Sequence, residues 1–78
     1  MMENRLDQLS PGQSGVIARM AAEGQLRSRL MDMGLIKGTQ VTMVRKAPLG
    51  DPLEIEVKGY SLSLRKQEAS LIYLEPAS

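Results

Sequence analysis

A mainly β fold, a small, partly open barrel of about five short strands with one α-helix inserted between the first two, is predicted by three observations. Leu53, Ile55 and Val57 alternate with Glu54, Glu56 and Lys58, the pattern of a half-buried strand. Leu26, Leu30 and Met33 recur at four and three residues, which sets one helical face in one stretch only. Seven glycines and four prolines cut the rest of the 78-residue chain into segments too short for further long helices. So small a sheet protects its edges by closing or nearly closing.

The elements follow in order. Leu6 and Leu9, three apart before a Ser-Pro-Gly turn signal, suit a clasp against the barrel, made of a short helical turn or an extended arm. Gly15 to Met20 reads as the first strand. The helix is expected from about Gln25 to Met33, with Gly34 in the left-handed position that ends it and Leu35 folded back on Leu30, as in a Schellman motif. A turn at Ile36-Lys37-Gly38-Thr39 leads to a second strand, "QVTMVRK", with Val41 and Met43 on one face. "LEIEV" and "YSLSL", joined at Gly59, form a hairpin. "KQEA" is long enough for one helical or 3₁₀ turn before "LIYL" closes the sheet.

Residues 1–78 have room for a single domain. No histidine and no cysteine is present, which excludes an imidazole base, thiolate chemistry, disulfides and the usual zinc ligands. The glycines make no phosphate-binding motif, no calcium-loop pattern occurs, and no serine has a histidine to activate it. No cofactor, metal site or catalytic residue is therefore expected. Glu54 and Glu56 share a face but lie opposite the apolar one, so they are read as solvated acids rather than a catalytic pair. Met31, Met33 and Met43 are read as core fillers in a chain without Phe or Trp. A formal charge of +1 is far from the basic balance of nucleic-acid binders, and only Tyr60 and Tyr73 could stack on bases. No run of about 18 apolar residues is available to cross a bilayer, and the start is unlike a signal peptide, so a cytoplasmic protein without membrane insertion is expected.

Two features point to a binding surface. In "RKAPLGDPLEIEV" a leucine, Leu49, stands on a loop between Pro48 and Gly50, where a core role is poorly served. Asp51, between Gly50 and Pro52, is read as the turn-former that bonds to its own backbone and holds the loop's shape. Arg27 and Arg29 on the helix, with Lys37, Arg45 and Lys46, would make a basic patch for an acidic protein partner if helix and loop lie side by side. The expected partner-binding residues are thus Arg45, Lys46, Leu49, Asp51, Arg27 and Arg29.

The runs "LMDMGLIKGTQVTMV", "RKAPLGDPLEIEV" and "YSLSLRKQEASLI", in that order and closely spaced, resemble the FeoA family of small ferrous-iron transport proteins from about Leu6 to Leu74. The family usually has proline before the glycine of the helix-to-strand turn, where this chain has Lys37. The resemblance implies an SH3-like barrel acting as a non-enzymatic cytosolic accessory to FeoB, a membrane ferrous-iron permease with a cytoplasmic GTP-binding domain. It also touches the domain attached to iron-dependent repressors of the diphtheria toxin repressor type, whose winged-helix part this chain has no room for. A free-standing domain of that type, or a small nucleic-acid-binding barrel, is the alternative reading.

Overall fold

The computed structural model describes residues 3–76. Its elements are β1 (Asn4–Arg5), a 3₁₀ turn (Leu6–Gln8), β2 (Ser14–Met20), α1 (Gly24–Asp32), β3 (Gln40–Lys46), β4 (Leu53–Val57), β5 (Tyr60–Leu64), α2 (Lys66–Ala69) and β6 (Ile72–Pro76). The six strands lie in one open antiparallel sheet in the order β1-β6-β2-β3-β4-β5. The strand missing from the sequence reading is β1, two residues paired with Leu74 and Tyr73 of β6. Two residues carry no period; only the sheet makes them a strand. The clasp is both things expected of it, an extended pair followed by a 3₁₀ turn, with Leu6 and Leu9 buried.

The apolar period of α1 lays Leu30 fully in the core, with Leu26 and Met33 packed against it. The helix ends as a Schellman motif: Leu35 N–H donates to the Leu30 carbonyl at 3.2 Å and Gly34 N–H to that of Met31 at 2.9 Å. Gly34 has φ +95°, and both leucines are buried. The Tyr60 hydroxyl donates to the Met33 carbonyl, which joins the helix end to β5. Met31 corrects the expectation of three core methionines. It lies 140° around the helix from Leu26 at 100° per residue and is 41% exposed, while Met43 is buried.

The core side of β3 and β4 follows the alternation, with Val41, Met43, Leu53, Ile55 and Val57 all buried. A bulge interrupts β3: Met43 faces Ile55, but the next pair is Arg45 with Glu54. Val44 is the extra residue. It turns Arg45 outward, where strict alternation would have driven it inward, and places Lys46 on the core-facing side opposite Leu53. Lys46 then extends its ammonium to the Asp7 carbonyl at 3.1 Å. A matching bulge in β2 brings Arg19 opposite Tyr73, with the guanidinium 3.8 Å from the ring centroid. The turn at Ile36–Thr39 closes with Lys37 in place, Thr39 N–H donating to the Ile36 carbonyl at 3.1 Å.

Candidate docking face

The loop from Ala47 to Pro52 is built around one turn. Gly50 N–H donates to the Ala47 carbonyl at 2.7 Å, and Ala47 N–H to that of Pro52 at 3.0 Å. Pro48 fixes the first central position of the turn, and Gly50, with φ +87°, takes the left-handed residue that returns the chain to β4. Leu49 is left at the apex, 96% exposed. Asp51 does not bond to its own backbone, which corrects the sequence reading. Its Oδ1 accepts the Lys66 N–H at 2.9 Å, satisfying one of the free donors at the start of α2 and fastening the loop to that turn. The partner is 15 residues away, beyond any local pattern. Replacing Asp51 by alanine is expected to lower stability by about 1 kcal/mol, with Asp51→Asn retaining most of it because the amide oxygen still accepts. Denaturant titration of the two variants checks this.

Beside the loop, Arg45 Nε donates to Glu54 Oε1 at 2.9 Å, with the arginine side chain largely exposed. Across from it, Arg29 of α1 pairs with Glu68 of α2. An open recess of about 500 Å³ lies between α1 and β5, walled by Arg29, Met33, Leu64 and Arg65. A second, of about 200 Å³, lies under Arg45, Lys46, Ala47 and Pro48. Pro52 and Ser63 line both, so one continuous face runs from the helix to the loop.

This face brings together three of the six expected residues, Arg29, Arg45 and Lys46, with Leu49 at the apex of the adjoining turn and Asp51 as the tie beneath it. Arg27 is not among them. Two positions from Arg29 it is turned 200° away, donates to the Met20 carbonyl at 3.3 Å, and shares a separate recess with Lys37, Met31 and Ile36. The single five-residue basic patch thus resolves into two groups. Ser63, Arg65 and Glu68 were missed by the sequence reading; the one available signal was Arg65 and Glu68 three apart, and Glu68 Oε1 indeed accepts the Arg65 N–H at 3.0 Å. Glu56 is exposed and Glu54 is half-buried against Arg45. Among the described residues no three acidic side chains gather where they could hold a metal ion.

An open six-stranded antiparallel barrel with a helix inserted between β2 and β3 and one helical turn before the last strand defines an SH3-like domain. The chain belongs to the FeoA domain family, whose model matches residues 4–76. It is similar to the Fe(2+) transport protein A/Fe(2+) transporter FeoB fusion protein of Porphyromonas gingivalis (strain ATCC BAA-308 / W83), 38% identical over 71 residues. That match takes in 91% of this chain and spans 8% of the relative's length. The NMR structure of a FeoA-like protein from Clostridium acetobutylicum superposes with a TM-score of 0.89 at 35% identity, covering 100% of this chain and 91% of that one. The crystal structure of Stenotrophomonas maltophilia FeoA complexed with zinc, described as a prokaryotic SH3 domain protein, gives 0.79 at 30% identity, covering 96% and 91%.

Proposed function

We propose that this chain is a non-enzymatic accessory of ferrous iron uptake that docks on the cytoplasmic GTP-binding part of a FeoB-type membrane permease and regulates it. The observation that carries this reading is the Porphyromonas gingivalis relative, in which a homologous domain and the Fe(2+) transporter FeoB are one polypeptide. Fusion holds two modules at high effective concentration, which serves domains that act on each other. No helix among the described residues is long and apolar enough to cross a membrane, consistent with a module that comes to the permease from outside the bilayer. Regulation then requires that the face bind one state of the permease more tightly than another.

Leu49 is the anchor of this reading, because its side chain is 96% exposed among the described residues and its turn is held by Pro48, Gly50 and Asp51. Arg45 and Lys46 flank it and would speed approach to an acidic surface in a salt-dependent way. Leu49→Ala is expected to weaken binding to the detergent-solubilised permease by about 2 kcal/mol, some thirtyfold, with an unchanged melting curve. Wild-type binding by the folded variant would remove the loop as the anchor and leave the Arg29 side of the face. The same assay with Arg45→Ala, read by the permease's GTP hydrolysis rate, asks whether this arginine leaves Glu54 to enter the nucleotide site; normal binding with lost stimulation is the signature.

A further inference from the structure

β5 ends the sheet: β4 covers one of its edges, and no described residue pairs with the other. The phase of that free edge follows from the hairpin. Lys58 and Gly59 both have positive φ, 52° and 87°, which makes a two-residue type I′ turn. Val57 and Tyr60 therefore exchange both main-chain hydrogen bonds, and by alternation so do Ile55 with Leu62 and Leu53 with Leu64. The N–H and C=O groups of Ser61 and Ser63 point the other way, to the open edge. Beside Ser63 lies the recess of about 500 Å³ that separates β5 from α1.

Edge strands are ordinarily covered, bulged, broken by proline or given a charge that discourages pairing. Tyr-Ser-Leu-Ser-Leu has none of these within it. Its charges stand at its ends, Lys58 before it and Arg65 and Lys66 after it, and no described acidic side chain forms an ion pair with any of the three. That arrangement selects the occupant. Two copies pairing antiparallel through all four free groups would set Ser61 opposite Ser63 of the second copy, and so bring the Lys58 end of each strand beside the Arg65–Lys66 end of the other, like charge near like at both ends. An acidic strand meets the opposite sign at both ends instead.

We propose that the outer edge of β5 receives an extended acidic segment of a partner protein as a seventh strand, held by the main-chain groups of Ser61 and Ser63. This rests on the docking reading, whose face includes Ser63, and adds the chemistry of what is docked there. Main-chain bonds supply the attraction and the flanking cations supply the selectivity.

The test uses an eight-residue peptide of alternating glutamate and valine added to the isotope-labelled chain. In the free chain the Ser61 and Ser63 amides should exchange rapidly with solvent and become protected when the peptide binds. Ser63→Pro deletes an outward N–H without touching the β4 ladder, so the fold should persist while peptide affinity falls at least about tenfold. Ser63→Ala, which keeps the N–H, should bind as the wild type does, and a lysine-for-glutamate peptide should bind at least about tenfold more weakly. No binding of the acidic peptide at millimolar concentration overturns the proposal, as does unaltered binding by Ser63→Pro. If Ser63→Pro does not fold, exchange decides alone: no gain of protection at Ser61 and Ser63 overturns it. A concentration-dependent dimer that protects the same two amides overturns it in favour of a second copy. Permease binding without peptide binding defeats the edge and spares the docking reading; peptide binding without permease binding does the reverse.

Discussion

Replacing Ile55 by aspartate is expected to leave the chain unfolded at neutral pH. Ile55 is fully buried, faces Met43 across β3 and Leu62 across β5, and so sits in the middle of three strands at once. A carboxylate there has no described cation within the core to pair with, and burying it costs several kcal/mol. A domain of this size holds a stability near the lower end of about 5–15 kcal/mol, so that one substitution removes most of it. Far-ultraviolet dichroism and amide dispersion read the outcome. Ile55→Val, expected to cost about 1 kcal/mol, shows that the position rather than mutation as such is responsible. A dispersed, native-like spectrum from Ile55→Asp would mean that β4 presents its other face to the core.

Gly34→Val should destabilise by about 2–3 kcal/mol, through two effects that can be separated. The first is conformational: a β-branched side chain is strained at φ +95°. The second is steric, since a Cβ on Gly34 would stand 3.2 Å from the Tyr60 hydroxyl, the group that donates to the Met33 carbonyl. Tyr60→Phe removes the hydroxyl and its hydrogen bond. In a double-mutant cycle the Tyr60→Phe background should therefore soften the Gly34→Val effect, and strict additivity of the two free energies would show that the hydroxyl plays no part. An unchanged midpoint for Gly34→Val alone would contradict the helix-end geometry.

What was legible in the sequence was whatever a local period or a local turn encodes. The alternation from Leu53 to Val57 places β4, the four-and-three spacing places α1 to within one residue of its ends, and Gly34-Leu35 specifies the Schellman motif. What escaped depends on contacts between distant segments. Asn4–Arg5 becomes a strand only because β6 offers an edge. The bulge at Val44 reverses the facing that strict alternation would give Arg45 and Lys46, and no residue type announces it. Asp51 reads locally as a turn-former bonded to its own backbone, but its donor is the Lys66 N–H at the far end of the next hairpin. On the candidate site the sequence offered the nearness of helix and loop only as a condition for its basic patch; the 200° between Arg27 and Arg29 follows from the helical period, but which of the two looks toward β5 depends on how the helix is set against the sheet.

The one-turn helix α2 carries a consequence for the thermodynamics of recognition. Four residues do not hold a helix by themselves. Here Asp51 of the loop accepts from Lys66, the first residue of that turn, and Glu68, two residues on, grips Arg29 of α1. Loop, turn and helix are thereby laced into one unit, although 22 positions separate Arg29 from Asp51 in the chain. The rotamer freedom of the long arginine and the wandering of the loop are surrendered when the domain folds. A partner arriving at this face finds it already ordered, so less of its contact energy is consumed in immobilising what it touches and more of it appears as affinity.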